Sequence, residues 1–520
     1  MTRIRHVLGI DISTQTITAM LIGVIEDNGA PAELVISSAW TESRSCKDEV
    51  SRKSPSVWVE LVRECISGLK SKAREVEMAE AIGISTTFPG CFAVGRDGCI
   101  DPSFVSLYDN TEDSGIGSGE FEDALGEAEA ETVNRMWPGN MALGLVALVK
   151  AGMRLEQVRK IVPPNTAFSY ELLKRPGSPA DPTSLFSDFT ETSISGLYDA
   201  HTGQPLPAGV RGLLSKILPK VSMDQLSGLL PTTAPSWRNV IPPEALPDVR
   251  ELLGLPHLNA VSIGAGDSPL GTLALMGDRD MVINVRGSSD SPMIVVDAPE
   301  IRIGPRETVL HYPLPTATAM SDSPWCVVAP MLRSGRVWDW VRSLRFPEGE
   351  GDSDAKLEML ALESLRSGHS VGRPQFNTAL GGERAPHWDS HATGVISGLL
   401  ESHTIGDIAL AALEGMSATL SDCIRLMEER YEVETRRLLL VGGPARNKLW
   451  NWITQERTGK TTFATTFSDA SLLGAALLGY GAAYDSREPD VSVSRRLIAL
   501  SKLASGHPLV APVQVESPHP

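Results

Sequence analysis

Blocks of apolar residues alternate with short polar turns along this chain. Val7-Leu-Gly-Ile-Asp11 and Ile17-Thr-Ala-Met-Leu-Ile-Gly-Val24 are two β-rich runs separated by the polar turn Ser13-Thr-Gln-Thr16, a pattern that predicts a hairpin. Between 56 and 69, Val57, Leu61, Val62, Cys65, Ile66 and Leu69 recur at helical spacing. Ser56, behind Pro55, is the expected N-cap, and Glu60 falls near the positive end of the helix dipole. A further strand, Ala81-Ile-Gly-Ile-Ser85, runs into the turn Thr86-Thr-Phe-Pro-Gly90.

The pattern returns in the second half. Met281-Val-Ile-Asn-Val285, the turn Arg286-Gly-Ser-Ser-Asp290 and the apolar run 293–296 again read as strand, small-residue turn, strand. An apolar stripe through Ile405, Ile408, Ala412, Met416, Leu420 and Met427 predicts a long helix over 405–431. It leads to a strand, Arg437-Leu-Leu-Leu-Val441, then Gly442-Gly443, a helix over 447–458 and a small-residue helix over 468–483. The middle, 112–258, is the least legible part. Its acidic run from Glu120 to Glu131, a helix over 143–150 and many prolines read as insertions and a cap around the first core. Two similar hairpins, each opening one half, point to a duplicated α/β core with a cleft between its halves. The expected division is 1–276 and 277–503, followed by a Pro- and Ser-rich tail over 504–520 expected to be mobile.

Composition narrows the function. The 520 residues are 42% hydrophobic and carry a net charge of -17, which gives no excess positive field for nucleic acid or an anionic membrane surface. A small phosphate ligand needs only a local nest of N–H groups and a metal ion, so it stays in play. The six cysteines form no CxxC pair, which disfavours metal or redox motifs and reads as a reduced, intracellular chain. The first residues turn polar too soon for a signal peptide, and no apolar run approaches a membrane span. The expected compartment is the cytoplasm.

One segment carries chemistry on its own. Val261-Ser-Ile-Gly-Ala-Gly-Asp267 is an apolar strand that ends in small residues and then presents a single carboxylate. Read from the residues, Asp267 is either a helix cap or a group placed in a cleft, with the glycines letting a ligand or another backbone approach.

Taken in order, Gly9-Ile-Asp-Ile-Ser-Thr-Gln15, Ala81-Ile-Gly-Ile-Ser85, Gly264-Ala-Gly-Asp267, Gly287-Ser-Ser289, Gly382-Glu-Arg-Ala-Pro-His-Trp-Asp389 and Val441-Gly-Gly-Pro-Ala-Arg-Asn447 resemble the FGGY carbohydrate kinases. Ser13-Thr-Gln15 and the Gly-Glu-Arg block are most similar to the xylulokinase branch. The resemblance implies an α/β fold of two ribonuclease-H-like domains, of the actin/hexokinase/Hsp70 type, with an interdomain cleft. It also implies a kinase that transfers the γ-phosphate of ATP to a hydroxyl of a xylulose-like ketose or related polyol. On that resemblance Asp267 is the general base, and Asp11 orients Mg²⁺, a hard cation that prefers carboxylate oxygen. Thr14 and Gln15, with Gly287, Ser288 and Ser289, face the ATP phosphates. Gly442, Gly443 and Asn447 hold the adenosine. Phe88, Pro89 and Asp109 lie at the acceptor, while the Glu383–Asp389 block and Glu414 read as structural. A homodimer is a partner the resemblance admits.

The chain also departs from the family pattern. Thr18 stands where relatives often carry a basic residue, and Phe88-Pro89-Gly90 replaces a Met-His-Gly turn. An arginine two residues after Asp109 is missing; Thr111 is there instead. A site that loses a hydrogen-bond donor changes its preference strongly, so the acceptor pocket is expected to differ from an ordinary xylulose pocket. The alternatives are a sugar-sensing pseudokinase and a non-catalytic ATP-binding protein of the same fold.

Overall fold

The computed structural model describes residues 2–46, 48–110, 121–174, 185–275, 279–297, 308–322, 324–347, 351–367, 372–465 and 467–517. The expected boundary at 276–277, Thr111 and the first residue of the acidic run, Glu120, lie outside them.

Two mixed sheets form the frame. In the first, strands Arg3–Ile12 and Thr16–Asp27 make the expected hairpin, Ala30–Ser45 extends it antiparallel, and Ala79–Thr86 joins Arg3–Ile12 in parallel. The second repeats this plan. Met281–Arg286 and Asp290–Val296 form an antiparallel hairpin, and Arg437–Val441 joins Met281–Arg286 in parallel. The shared pairing gives the duplication suggested by the hydrophobic pattern a concrete register. Thr461–Thr465 follows on one side, and Trp325–Val328 and Leu310–Pro313 on the other.

The halves interlock through one helix. Ala470–Ala482 is made almost wholly of small and apolar residues and is buried on nearly every side. Although it follows the second sheet in sequence, it lies across the first. A Cβ on Gly83 would sit 1.6 Å from the Ala475 carbonyl oxygen, so only glycine admits this approach. Its other face meets the helix Asp267–Leu275, where the Leu270 carbonyl abuts Gly474. One apolar core therefore runs from Val7 and Met20, through Leu473 and Ala476, to Ile283 and Leu439.

Several expectations need correction. The helix read as starting at Ser56 is Pro55–Lys72, and Ser54 is its N-cap residue; the Ser54 and Ser56 hydroxyls lie 3.0 Å apart and cap no backbone N–H. Proline at the first position already lacks the N–H that a cap would satisfy. Within 504–520, expected as a loose tail, the helix Asp490–Ser505 reaches the segment's start. Val513–Gln514 then pairs antiparallel with Thr461–Thr465. The middle is more regular than its sequence suggests, with helices Glu122–Thr132, Met141–Lys150, Pro164–Leu173 and Phe189–Ile194 and a three-stranded sheet. Among the described residues no helix is long and apolar enough to cross a membrane.

Candidate active site

Asp11, at the first hairpin turn, feels the charges of Asp267 and Asp469. The Ser85 hydroxyl, one strand away, donates to Asp11 Oδ1. Burial raises the Asp11 carboxyl to about 7; its hydrogen bonds with Ser85 and Ser471 oppose the rise, while the charges of Asp267 and Asp469 add to it. A carboxylate held among carboxylates is a place where a cation lowers the energy.

Asp267 reaches the same region by a different path. Gly264 has φ +91°, and a Cβ there would lie 2.4 Å from the Ile84 carbonyl oxygen. This left-handed step, tolerated by glycine, lets Ala265–Gly266 pair in parallel with Ser85 and Thr86. The chain then enters the helix Asp267–Leu275, with Asp267 as its first residue. The Ser268 N–H donates to Asp267 Oδ1 at 2.7 Å. Burial raises the Asp267 carboxyl to about 6, against that hydrogen bond. It is ionised at neutral pH, and its basicity exceeds that of an exposed aspartate.

A cavity of about 220 Å³ opens at this point, small beside the roughly 300–1,000 Å³ pockets that take drug-sized ligands. Asp267, Thr14 and Ser289 meet on its lining, so both hairpin turns and the candidate base share one space. Phe88, Tyr108, Trp137 and Tyr312 give it aromatic walls. The Phe88 ring lies directly against Gly266, where a Cβ would be 2.3 Å from it, and meets Tyr312 edge-on at 6.0 Å between centroids. Pro89 is also on the lining.

The second hairpin turn is wedged in place by its neighbours. The N–H groups of Ser334 and Gly335 donate to the Ser288 and Gly287 carbonyls, both at 3.1 Å, and Gly442 abuts the Arg286 carbonyl. Ser288 and Ser289 remain exposed at the tip. Beneath them the fully buried Arg286 guanidinium faces Asp290 at 3.4 Å and donates to Asn451 at 3.0 Å and Thr454 at 2.6 Å. It also lies over the Trp450 ring, 4.2 Å from its centroid.

Other expected site residues lie elsewhere. Gln15 is exposed, and Gly442, Gly443 and Asn447 are not on this cavity's lining. Asn447 caps the helix Lys448–Thr458, its Oδ1 accepting from the Trp450 N–H at 2.8 Å. Asp109 is exposed and pairs with Arg52 at 3.1 Å; its neighbour Tyr108 lines the cavity in its stead. Thr18 shares a 2.9 Å hydrogen bond with Ser43. The block read as structural divides. Glu383 pairs with His387 at 3.2 Å and Trp388 meets Trp137 edge-on, but Arg384 lines the cavity. Glu414 ion-pairs with Arg373 at 3.2 Å, in keeping with a structural role.

Sequence reasoning missed Tyr108, Trp137, Arg384 and Glu191. Tyr108 adjoins a residue that was singled out, and Arg384 sits in a quoted motif, so both had a signal. Trp137 and Glu191 fall in the middle region, which had none. Glu191 is 1% exposed, and neither of its carboxylate oxygens has a hydrogen-bond partner. Burial holds its carboxyl well above the usual range, with the charges of Asp188 and Asp267 adding to the effect.

Residues 293–483 match the FGGY family of carbohydrate kinases, C-terminal domain. These residues are an FGGY carbohydrate kinase domain. The FGGY domain contains Arg384, Gly442, Gly443 and Asn447, whereas Asp11, Asp267 and the turn 287–289 precede it. The gluconokinase of Bacillus subtilis (strain 168) is 26% identical over 265 residues, 50% of this chain and 49% of that protein. The chain thus spans about half the length of the curated relatives it matches. Solved structures extend the likeness in fold. The gluconate kinase of Lactobacillus acidophilus superposes with a TM-score of 0.71 at 19% identity, covering 98% of this chain and 97% of that one. The xylulose kinase of the same organism gives 0.70 at 18% identity, covering 97% of each. The α/β architecture of two ribonuclease-H-like halves is that of the FGGY kinases.

Proposed function

We propose that this protein is an ATP-dependent carbohydrate kinase that moves the γ-phosphate of ATP to a hydroxyl of a small polyhydroxylated acceptor. Residues 1–276 would supply the acceptor side and 277–503 the nucleotide side. A xylulose-like ketose or a related polyol is the acceptor suggested by the sequence; gluconate and xylulose are the compounds named for the relatives. The observation that carries this reading is the convergence of Asp267, Thr14 and Ser289 on one cavity.

Phosphoryl transfer leaves the protein little covalent work beyond positioning and charge stabilisation. Asp267, ionised at neutral pH, accepts the proton of the acceptor hydroxyl as its oxygen attacks the γ-phosphorus. Thr14 from the first turn and Ser288 and Ser289 from the second hold phosphate oxygens through hydroxyl and backbone N–H donors. The aromatic walls exclude water, so that the acceptor rather than water takes the phosphoryl group. Among the described residues no three His, Cys, Asp or Glu side chains cluster closely enough to hold a metal by themselves. Mg²⁺ in phosphotransferases is held by one or two carboxylates together with phosphate and water, and Asp11 fits that donor set. Bound there, the ion would neutralise charge on the phosphate oxygens.

The test is a screen for ADP release across ketoses, polyols and sugar acids, with the product mass read out. Acceptor-dependent turnover and a product heavier by one phosphate are expected. Tight acceptor binding in calorimetry with no phosphorylated product would favour a pseudokinase and overturn the proposal.

A further inference from the structure

Among the described residues Arg384 is the one cation on the cavity lining, which it shares with Asp267, Thr14 and Ser289. The chemistry proposed so far gives it no role. Its backbone is pinned on both sides. The Glu383 N–H donates to the Asp389 carbonyl at 2.7 Å, the Ala385 N–H donates to the Pro330 carbonyl at 3.0 Å, and the Trp388 N–H donates to the Arg384 carbonyl itself. Its guanidinium, by contrast, has no hydrogen bond or ion pair among the described residues. The adjacent carboxylate, Glu383, is taken by His387 at 3.2 Å. Burial lowers the pKa of Arg384 from the ordinary arginine value, with Tyr108 opposing, and a guanidinium keeps its charge even so. A half-buried cation without a counter-charge leaves its desolvation uncompensated until an anion enters.

What else the cavity holds narrows that anion. Gly442, Gly443 and Asn447, expected at the adenosine, are not on the lining. On the kinase reading a space of about 220 Å³ takes the acceptor hydroxyl and the terminal phosphoryl group. Phosphoryl transfer needs charge stabilised on the non-bridging oxygens of that group. Thr18 stands where relatives often carry a basic residue; it bonds to Ser43 and is not on the lining. Arg384 is the lining residue with the charge to do this.

We infer that Arg384 is a catalytic residue, its guanidinium donating hydrogen bonds to the non-bridging oxygens of the phosphoryl group as that group passes from ATP to the acceptor. This rests on the kinase reading and adds a cation to the same site. In the step, the acceptor oxygen forms a bond to the γ-phosphorus and its proton goes to Asp267. The bond from phosphorus to the β,γ-bridging oxygen breaks, and its electron pair leaves on ADP. Arg384 keeps all its protons throughout. Donors fixed in place beforehand stabilise developing charge without reorganising. A contact that strengthens only in the transition state speeds the chemical step and leaves substrate affinity little changed.

The experiment uses the intact protein with ATP, Mg²⁺ and gluconate, xylulose or glycerol, read in single turnover so that the chemical step is seen. Arg384→Gln should slow that step by about 10²–10³-fold. The factor should agree to within about threefold for every acceptor the wild type uses, with KM for ATP and for the acceptor little moved. Arg384→Lys keeps the charge without the planar fork and should recover part of the rate, which separates lost chemistry from a folding defect. ADP with aluminium fluoride mimics the phosphoryl group in flight. With acceptor present it should bind the wild type about 10²-fold or more tighter than ADP alone, and that gain should vanish in Arg384→Gln. A loss confined to one acceptor would overturn the inference, since Arg384 would then read the acceptor. So would a loss that sits in KM for ATP, an unchanged rate, or a lysine variant as slow as the glutamine one with an equally lowered thermal midpoint; each leaves the kinase reading standing. No turnover by the wild type with any acceptor would overturn both readings.

Discussion

Replacing Asp267 by Asn should make the free protein more stable and the enzyme almost inactive. Burial raises this carboxyl from 3.8 to about 6, and a difference of that size corresponds to about 3 kcal/mol against the ionised form. Residual solvent contact reduces this to about 1–3 kcal/mol. The native state binds the proton more tightly than the unfolded chain. The stability linked to the protonated carboxyl is therefore fully present below pH 3.8 and is lost as pH rises through about 6. Asparagine does not ionise, so Asp267→Asn recovers that loss at pH 8 and gains nothing at pH 4. Its side-chain oxygen can still accept the Ser268 N–H, which donates at 2.7 Å in the parent. Thermal unfolding without ligands should show a midpoint higher by roughly 1–5 °C at pH 8, with no difference near pH 4. Turnover should fall by about 10²–10⁴, the usual contribution of a positioned general base. A variant that is less stable at pH 8 would refute the reasoning, because the carboxylate would then be serving the fold.

Three other outcomes follow from the same geometry. The acid limb of kcat should fall about tenfold per pH unit below the Asp267 value of about 6; a profile flat to pH 4.5 would exclude this group as the base. Gly83→Val places side-chain atoms where even a Cβ would be 1.6 Å from the Ala475 carbonyl oxygen. It should cost about 3 kcal/mol or more, seen as a large drop in thermal midpoint or loss of soluble protein. Arg286→Met leaves the buried Asp290 without its cation, which should cost about 3–5 kcal/mol. It should also weaken ATP binding in calorimetry by loosening the turn at 287–289.

What could be read from the chain follows from how local the signals are. Both hairpins, the helix Ile405–Tyr431 and the strand Arg437–Val441 were legible because each has one clear apolar period and a turn of small residues. Asp267 stood out because small residues isolate it. The middle region was less legible: the helix read over 143–150 is Met141–Lys150, but Trp137 lies in the turn before it, where no apolar period marks a side chain. Asp109 drew attention over Tyr108 because a carboxylate looks chemical. Both residues sit in the turn that follows the strand Ile100–Leu107, and of the two only the tyrosine lines the cavity. Arg384 was visible as a residue, but its free guanidinium was not; what a side chain lacks cannot be read from a motif. Val513–Gln514 escaped notice because two residues carry no period, and only the exposed edge of Thr461–Thr465 gives them a partner.

The most direct test of the central claim is a crystal structure with a non-hydrolysable ATP analogue, Mg²⁺ and an acceptor identified by the screen. A carboxylate oxygen of Asp267 should lie about 2.6–3.2 Å from one acceptor hydroxyl. That hydroxyl should face the terminal phosphorus at about 3–3.5 Å, with Thr14 and Ser289 on the phosphate oxygens. An acceptor bound away from Asp267, or a triphosphate that touches neither hairpin turn, would contradict the account.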